Sequence, residues 1–554
     1  MGHRDRERVR VREDHQVIVM QVRFGSAFVL TAAASTAPIA VCRAQSTQPA
    51  RTDSTTAVVS SVQIHRENVF DKAESGSWLF AAANKLHIVT REHVVRRELL
   101  IPVGAPFDSA TADETARNLR KLGIFRKATV DSSRTSSGLA EDVTTHDSWT
   151  TQVQAAFKSS GDQITWNVGV AEKNLLGRQI KASVKYTSDP DRSTTQFAAF
   201  VPRVWRNRVD LSTAYKQYSD GESGDFSLSA PFTTLTTPRS STLDVDYADR
   251  NVLRFFEGEE EASDTLRHLL TKGTLTGAWA IRASRQGYVR VGAKLQLRRE
   301  NFADLGTPID ERSFFGELGT GVEWSRSNFS VVEGYRGLGG PEDIDLSATV
   351  RGDLWVAPSA WGYERGGVGP AVKANVGKLL PNGFTTLNLR ASSLFTSKGL
   401  DSGSVAAQGV LTLLPAPRHT VVFNAQGGMQ KNPYPGEEYD LGLTFGPRAY
   451  PAHAFTGDRA FFTTVEYRWV AFPEVYKLLG IALATYADYG GAWYSGSPVR
   501  TGADAGVGLR LGSTRAASGK GATRVDLSWR FASEEFDKRW ILSIGTGFPF
   551  DIAR

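Results

Sequence analysis

The sequence predicts a large antiparallel β-barrel that crosses a membrane, preceded by a small α+β domain. From Trp149 onward, strand-length segments with alternating apolar and polar residues are separated by Gly, Pro, Asn, Asp and Ser. After the N-terminal region, the chain has no apolar run as long as a membrane helix needs. Fifty-two Gly, twelve Trp and only three Met also favour a β-rich chain. Because its backbone groups are hydrogen-bonded between strands, a closed barrel can span a membrane without such runs.

Residues 1–44 are typical of a secretory signal peptide. An Arg-rich start precedes a stretch of apolar and small residues from Phe24 to Val41, and a cleavage site follows Ala44. A start at Met20 would give a signal of more ordinary length. Cleavage would remove Cys42, the only cysteine, so we expect neither a disulfide nor a cysteine-ligated metal in the mature chain. The polar segment 45–59 has no periodicity and predicts a linker.

Residues 60–147 predict the small α+β domain, in the order strand, helix, helix, strand, strand. The elements are a strand from Val62 to Phe70, a helix opened by Thr90, a helix with a capping box at Thr111 and Glu114 that runs to Leu122, and strands at 125–131 and 140–145. This order, with the motifs Arg97–Leu100 and Val103–Asp108, resembles a POTRA domain, although a generic α+β domain has the same composition. The resemblance implies that client or partner segments add to a sheet edge, with Thr129 and Val130 as candidate residues.

Residues 148–554 predict the barrel, because its strands have one apolar and one charged face. Along 287–298, Val289, Val291 and Leu297 alternate with Arg290 and other polar residues. A water-soluble β-sandwich alternates as well, but an Arg or Lys turned to lipid near the membrane midplane costs about 2–4 kcal/mol. The charged face is therefore expected to line a wet lumen. In the last strand the outward residues are Trp540, Leu542, Ile544, Thr546 and Phe548.

The number of strands is predicted from length. About 405 residues follow Trp149. With roughly 9–11 residues in each strand, plus turns and longer outer loops, sixteen strands fit at about 25 residues for each strand and its connection. Counting alone does not separate sixteen from fourteen or eighteen.

The segment Pro447–Trp469 resembles a known family. Arg448-Ala449-Tyr450 in a loop, followed by Glu466-Tyr467-Arg468 on a strand, is similar to the Omp85 superfamily of outer-membrane β-barrels, which includes BamA, TamA and the two-partner secretion translocators. The family's loop tripeptide is Arg-Gly-aromatic, and here Ala449 stands in place of Gly. Glu172–Arg178 resembles the family's turn after the first barrel strand, and Tyr486–Trp493 resembles its aromatic-x-Asp-x-Gly strand.

The resemblance implies sixteen strands and a site that we call the lumen lock. In this site the loop arginine reaches into the lumen toward carboxylates on the next two strands, where a bidentate pair would fix the geometry. The candidate residues of the lumen lock are Arg448, Tyr450, Glu466, Arg468 and Asp488. The simpler interpretation is that these charges face water in the lumen and each contributes little to stability.

The resemblance also implies an outer-membrane protein, with the POTRA domain in the periplasm, that inserts or translocates client proteins without ATP. Its expected partners are outer-membrane lipid, unfolded or extended clients bound through the POTRA domain, and other assembly-machinery proteins. A seam between the first and last strands would open for the client. Two other functions fit the same sequence: a passive, porin-like channel, and an envelope barrel that docks one partner through its POTRA domain.

No motif indicates an enzyme. The chain lacks a Gly-x-Ser-x-Gly elbow, its histidines lack metal-ligand spacing, and Gly519-Lys520-Gly521 lacks the rest of a phosphate loop. We therefore expect no catalytic residues, no metal and no cofactor. An exported chain rarely meets nucleic acid, so the formal net charge of +6 does not indicate a nucleic-acid partner.

Overall fold

The computed structural model describes residues 58–546, except 72–77, 137, 161–162, 205–208, 257, 260, 307–312, 337, 339–340, 444, 516–521 and 534. The predicted signal peptide, most of the predicted linker and Phe548 lie outside the described residues, so those predictions stay untested.

The N-terminal part is a small α/β domain. Its three-stranded sheet has the order β1-β3-β2, with β1 parallel to β3 and β2 antiparallel to it. Two of its three helices, residues 92–96 and 109–121, pack on this sheet, where Val94, Leu119, Phe125 and Val143 are buried in a common core. The elements are β1 (Val59–Glu67), α1 (Trp78–Leu86), α2 (Glu92–Arg96), α3 (Ser109–Lys121), β2 (Phe125–Thr135) and β3 (Gly138–Asp147).

The order of elements in this domain follows the prediction with one more helix, α1, but both predicted helix starts are wrong. Helix α3 begins earlier because the side chain of Asp108 accepts a hydrogen bond from the Thr111 amide at 2.8 Å and acts as its N-cap. Thr90 does not cap α2, whose N-cap is Arg91. Instead the Thr90 amide and hydroxyl donate to the buried Asp147 carboxylate, at 2.7 and 2.9 Å.

The C-terminal part is a closed antiparallel barrel of twenty strands in the described residues, in which each strand pairs with the next and β27 pairs back with β4. The barrel strands are β4 (Thr151–Ser160), β5 (Gln163–Leu175), β6 (Ile180–Ser188), β7 (Ser193–Arg203), β8 (Val209–Tyr218), β9 (Gly221–Ala230), β10 (Arg239–Arg254), β11 (Asp264–Ser284), β12 (Gly287–Asp304), β13 (Ser313–Arg326), β16 (Ala348–Ala357), β17 (Gly367–Leu380), β18 (Gly383–Thr396), β19 (Gly399–Ala416), β20 (His419–Lys431), β23 (Arg459–Val475), β24 (Leu479–Trp493), β25 (Gly502–Ser513), β26 (Thr523–Arg530) and β27 (Arg539–Thr546).

The predicted number of sixteen strands is therefore wrong. The prediction assumed longer connections than the chain uses. Only two residues join β8 to β9, β11 to β12, β17 to β18, β18 to β19 and β19 to β20. Connections this short leave room for four more strands in the same length of chain. The turn around Gly177, which was expected to follow the first barrel strand, follows the second strand, β5.

The two faces of the barrel wall differ as the alternation predicts. Along β23, Val465, Tyr467 and Trp469 are exposed on the outer face, whereas Glu466 and Arg468 are buried inside. In β27, Trp540 and Leu542 are exposed, as expected for the outer face. This exposed apolar surface is suited to contact with lipid. None of the helices in the described part of the chain is long and apolar enough to cross a membrane.

Two insertions fold into the barrel from opposite ends. We call the end at which β4 begins and the N-terminal domain attaches the near rim, and the opposite end the far rim. The far-rim loop, residues 432–458, contains β21 (Tyr439–Leu441) and β22 (Phe455–Gly457). The near-rim hairpin, residues 327–347, contains β14 (Phe329–Glu333) and β15 (Pro341–Asp345).

Candidate functional site

The far-rim loop turns inward because its apolar side chains pack against the inner wall. Tyr450 and Phe455 are buried against Phe462 of β23. The Tyr450 hydroxyl donates to the carbonyl of Ala503 on β25 at 3.2 Å and accepts from its amide at 2.9 Å. This approach requires glycine at position 502, since a Cβ there would lie 2.2 Å from the Tyr450 ring. Tyr450 thus holds the loop at a defined depth in the lumen.

The backbone conformation at Ala449 explains why this position of the loop tolerates a residue other than glycine. It is fully buried, and its amide donates to Asp504 at 3.0 Å. It is not among the residues with positive φ. The position therefore has no need of the left-handed conformation that favours glycine, and the departure from the family tripeptide does not strain the backbone here.

The guanidinium of Arg448 lies at the centre of a buried charge cluster. Its Nη1 is 3.2 Å from Glu466 Oε2, and its Nε is 3.0 Å from Asp488 Oδ2. Asp526 lies slightly further away, with Oδ2 at 3.6 Å from Nη1. The ring of Tyr486 stacks on the guanidinium, with Cζ 3.6 Å from its centroid. One loop residue thus contacts strands β23, β24 and β26 together.

Glu466 is the carboxylate shared by most of the cluster. Besides Arg448, it is paired with Arg510 at 2.7 Å and with Arg468 at 3.5 Å. Arg510 in turn reaches Asp526 at 2.6 Å. All of these charged side chains are buried. Buried charges are costly unless they are paired and hydrogen-bonded, so this mutual pairing determines where each strand and the loop must lie.

Four of the five predicted lumen-lock residues meet in this cluster, namely Arg448, Glu466, Arg468 and Asp488. Tyr450 lies beside it and anchors the loop to β25 instead. The motif did not indicate Arg510, Asp526 or Asp504. A signal was nevertheless present, because Arg510 and Asp526 lie on the polar faces of alternating strands. Alternation places such residues inside the barrel without showing which of them will meet.

The far-rim loop also contacts the strands where the barrel closes. Lys158 of β4 donates through Nζ to the carbonyl of Leu443. The amide of Ala452 donates to the side chain of Gln163 on β5 at 2.7 Å. The loop therefore joins the first two barrel strands to the strands that hold the charge cluster.

The other predicted site residues, Thr129 and Val130, lie apart from the cluster. They belong to β2, which is an edge strand of the N-terminal sheet within the described residues. Val130 is buried in the domain core and Thr129 is half-buried. A segment that adds to this edge would therefore contact the backbone of β2 more than these two side chains.

One group of residues in the described chain has the spacing of metal ligands. His146 Nδ1 lies 3.3 Å from Glu67 and 3.6 Å from Asp71. Arg126 also donates to Asp71 at 3.1 Å, so a cationic side chain already occupies part of this site. No motif in the sequence indicates this group.

No model of a known protein family and no curated protein matches the sequence. Solved structures similar to the chain include BamA from Haemophilus ducreyi lacking POTRA domains 1-3, with 10% identity over 89% of this chain and 84% of that chain and a TM-score of 0.38. CdiB from Escherichia coli has 11% identity over 89% and 77%, with a TM-score of 0.45. CdiB from Acinetobacter baumannii has 12% identity over 89% and 74%, with a TM-score of 0.42.

Proposed function

We propose that the protein inserts or translocates client proteins at the bacterial outer membrane without ATP. In this proposal the near rim faces the periplasm, and the N-terminal domain is a POTRA-like domain that binds extended clients. The observation that carries the proposal is the seam between β27 and β4. These strands pair at only two register positions among the described residues, Ser543 with Lys158 and Ile544 with Phe157, whereas β26 and β27 pair at eight.

A short seam matters because backbone groups that leave a β-ladder need new partners. In lipid each unpaired amide or carbonyl costs several kcal/mol. An extended client can supply the missing partners by adding a strand to the exposed edge. Within the described residues this pair has the fewest ladder bonds of the barrel wall, so we expect it to separate at least cost. The seam is therefore the place where a client strand would enter the wall.

The lumen contents favour this function over a passive channel. The far-rim loop fills the lumen around Arg448, and the near-rim hairpin packs at the other end. In the hairpin, Tyr335 packs edge-to-face on Phe384 at 4.8 Å, and Leu338 packs on Val470 and Ala482. Arg468 donates to the carbonyl of Tyr335 and so connects the hairpin to the charge cluster. A steady wide pore would form only if both the far-rim loop and the near-rim hairpin left the lumen.

The hairpin also connects the lumen to the N-terminal domain. Arg120 of α3 makes a bidentate pair with Asp343 of β15, at 2.7 and 2.8 Å. The neighbouring Arg117 lies over the ring of Phe329 on β14, with Cζ 4.4 Å from its centroid. A client that moves the N-terminal domain would therefore pull on the hairpin, and through Arg468 on the charge cluster.

The experiment that tests the function is a quantitative outer-membrane proteome after depletion of the protein in its own host. Loss of many barrel proteins would indicate a general insertase, and loss of one or a few exported proteins a dedicated translocator. An unchanged proteome with altered solute permeability would contradict the proposal and favour the passive channel.

The remaining alternative is a barrel that docks one envelope partner through its N-terminal domain. Photo-crosslinking from position 129, on the edge strand β2, separates the two functions. Many different unfolded chains should be captured if the edge binds clients. Capture of a single folded partner would favour docking.

A further inference from the structure

A cavity of about 190 Å³ lies between the N-terminal domain and the near rim, apart from the lumen cluster. One water molecule takes up roughly 30 Å³ in the liquid, so the cavity has room for a small ion. Its walls come from α3, from loop 231–238 between β9 and β10, from the start of β12 and from the near-rim hairpin. The site therefore joins four elements that are distant in sequence.

Three cations line the cavity, namely Arg117 and Lys121 of α3 and Arg290 of β12. In the part of the chain that the structure describes, none of them has a carboxylate oxygen within 4.0 Å of its charged group. All three contact aromatic rings instead. Arg117 and Lys121 lie over Phe329, with Cζ at 4.4 Å and Nζ at 5.1 Å from the ring centroid. Aromatic faces position cations without neutralising their charge.

Arg290 is the most confined of the three. Its guanidinium lies between two rings, with Cζ 3.6 Å from the centroid of Phe232 and 3.5 Å from that of Tyr288. The residue is only 9% exposed, and its Nε has no hydrogen-bond partner among the described residues. A buried donor without a partner is destabilising, and more so when it is charged. The Arg290 side chain is thus held in place while its Nε–H has no hydrogen-bond acceptor among the described residues.

The two carboxylates in the cavity wall are already engaged by backbone amides. Glu114 accepts from the amide of Leu235 at 3.3 Å, and Asp345 accepts from the amide of Ser347 at 2.9 Å. With three cations against two carboxylates, the wall carries excess positive charge. The site is therefore suited to an anion.

We propose that this cavity binds a phosphate group, with Arg290, Arg117 and Lys121 as its cationic ligands. The planar donor fork of arginine matches the oxygens of phosphate. Three cations in the wall of one cavity suit a group with several oxygens and more than one negative charge better than a single carboxylate. The bound group would bridge α3 and β12, and would hold the N-terminal domain on the near rim. The phosphate could come from free inorganic phosphate or from a phospholipid headgroup.

The test uses the full-length protein, purified in dodecyl maltoside and phosphate-free buffer and titrated calorimetrically with inorganic phosphate. Sodium chloride of equal ionic strength serves as the salt control. We expect saturable binding at one site, weakened at least tenfold by Arg290→Gln. Because Arg290 also packs on two rings, Arg117→Gln on the surface of α3 is the second variant and should weaken binding as well. Arg282→Gln removes an exposed arginine from the same rim and should bind phosphate like the wild type.

Repeating the titration in phosphatidylglycerol nanodiscs identifies the source. Phosphate binding in both environments would support free phosphate, and binding in detergent that is lost in nanodiscs would support an occupying lipid headgroup. The proposal is overturned if the wild type shows no saturable binding in detergent, if both cavity variants bind like the wild type, or if Arg282→Gln loses as much affinity as they do. The proteome experiment above is independent of these results.

Discussion

Arg448 is the residue through which the far-rim loop contacts three barrel strands. Arg448→Ala would leave Glu466, Asp488 and Asp526 buried with fewer partners, and breaking a buried pair costs about 3–5 kcal/mol. We expect expression to be largely intact. The compact barrel should unfold at a lower temperature on semi-native gels, and insertion or translocation of client proteins should be reduced. Arg459→Ala, which removes a half-exposed arginine from β23, is the control. If Arg448→Ala unfolds at the wild-type temperature and keeps wild-type activity, the lumen-lock hypothesis is wrong.

Asp147 makes the stability of the N-terminal domain depend on pH. Burial raises the pKa of its carboxyl to about 7, even though Thr90 donates to it. The unfolded carboxyl has a pKa of about 3.9, so between about pH 4 and 7 the folded state binds more protons than the unfolded state. The free energy of unfolding should therefore fall as pH rises through this window. Asp147→Asn, which cannot ionise, should reduce the dependence and leave the contribution of Glu141, whose pKa burial raises to about 6.

Urea unfolding of the N-terminal domain, in protein held in detergent, measures this effect. A fluorophore on Lys127→Cys at the surface of β2 reports on the domain without relying on the barrel tryptophans. Asp131→Asn, at an exposed position of the same strand, is the control and should keep the wild-type pH dependence. An unchanged slope in Asp147→Asn would show that another group causes it.

At the scale of residues, part of the charge cluster was predictable from the sequence. The tripeptide and the following strand identified Arg448 and Glu466, because those residues form a local motif. Arg510 and Asp526 belong to the same cluster through strand pairing and curvature of the wall, which alternation does not encode. Their inward direction was predictable, whereas their partners were not.

At the scale of elements, the near-rim hairpin was the least predictable feature. Its strands are only five residues long, and their fit depends on the inner wall and on α3 rather than on their own pattern. The predicted number of strands was wrong for a related reason, because two-residue turns between long strands cannot be recognised from the length of the chain. The strand faces, by contrast, follow directly from alternation, as along β23.

The hairpin should limit ion flow through the lumen. Tyr335→Ala removes its packing on Phe384, and loss of a buried aromatic side chain costs about 3–5 kcal/mol. We expect more frequent openings of large conductance in planar bilayers. Val331→Ala, at a position 55% exposed on the same hairpin, should behave like the wild type. Equal conductance in the two variants would mean that the hairpin does not close the lumen.

For the whole molecule, the contacts form a continuous path from one rim to the other. Helix α3 contacts the hairpin, the hairpin contacts Arg468, and the charge cluster contacts the far-rim loop. The loop then reaches Lys158 on β4, which is one of the residues paired across the seam. Movement at the N-terminal domain is thus connected through packed and paired groups to β4 and β27, the barrel strands that share the shortest ladder among the described residues.

The seam itself allows a direct test of whether the barrel must open. Phe157 and Ile544 are register partners across it, and cysteines at such positions lie close enough for a disulfide. The double variant Phe157→Cys/Ile544→Cys should fold normally, lose activity when oxidised and recover it on reduction. Leu527→Cys/Leu542→Cys bridges β26 and β27 beside the seam, and should stay active when oxidised because that pair need not separate. If the oxidised seam variant supports a normal outer-membrane proteome in depleted cells, clients do not pass through this opening.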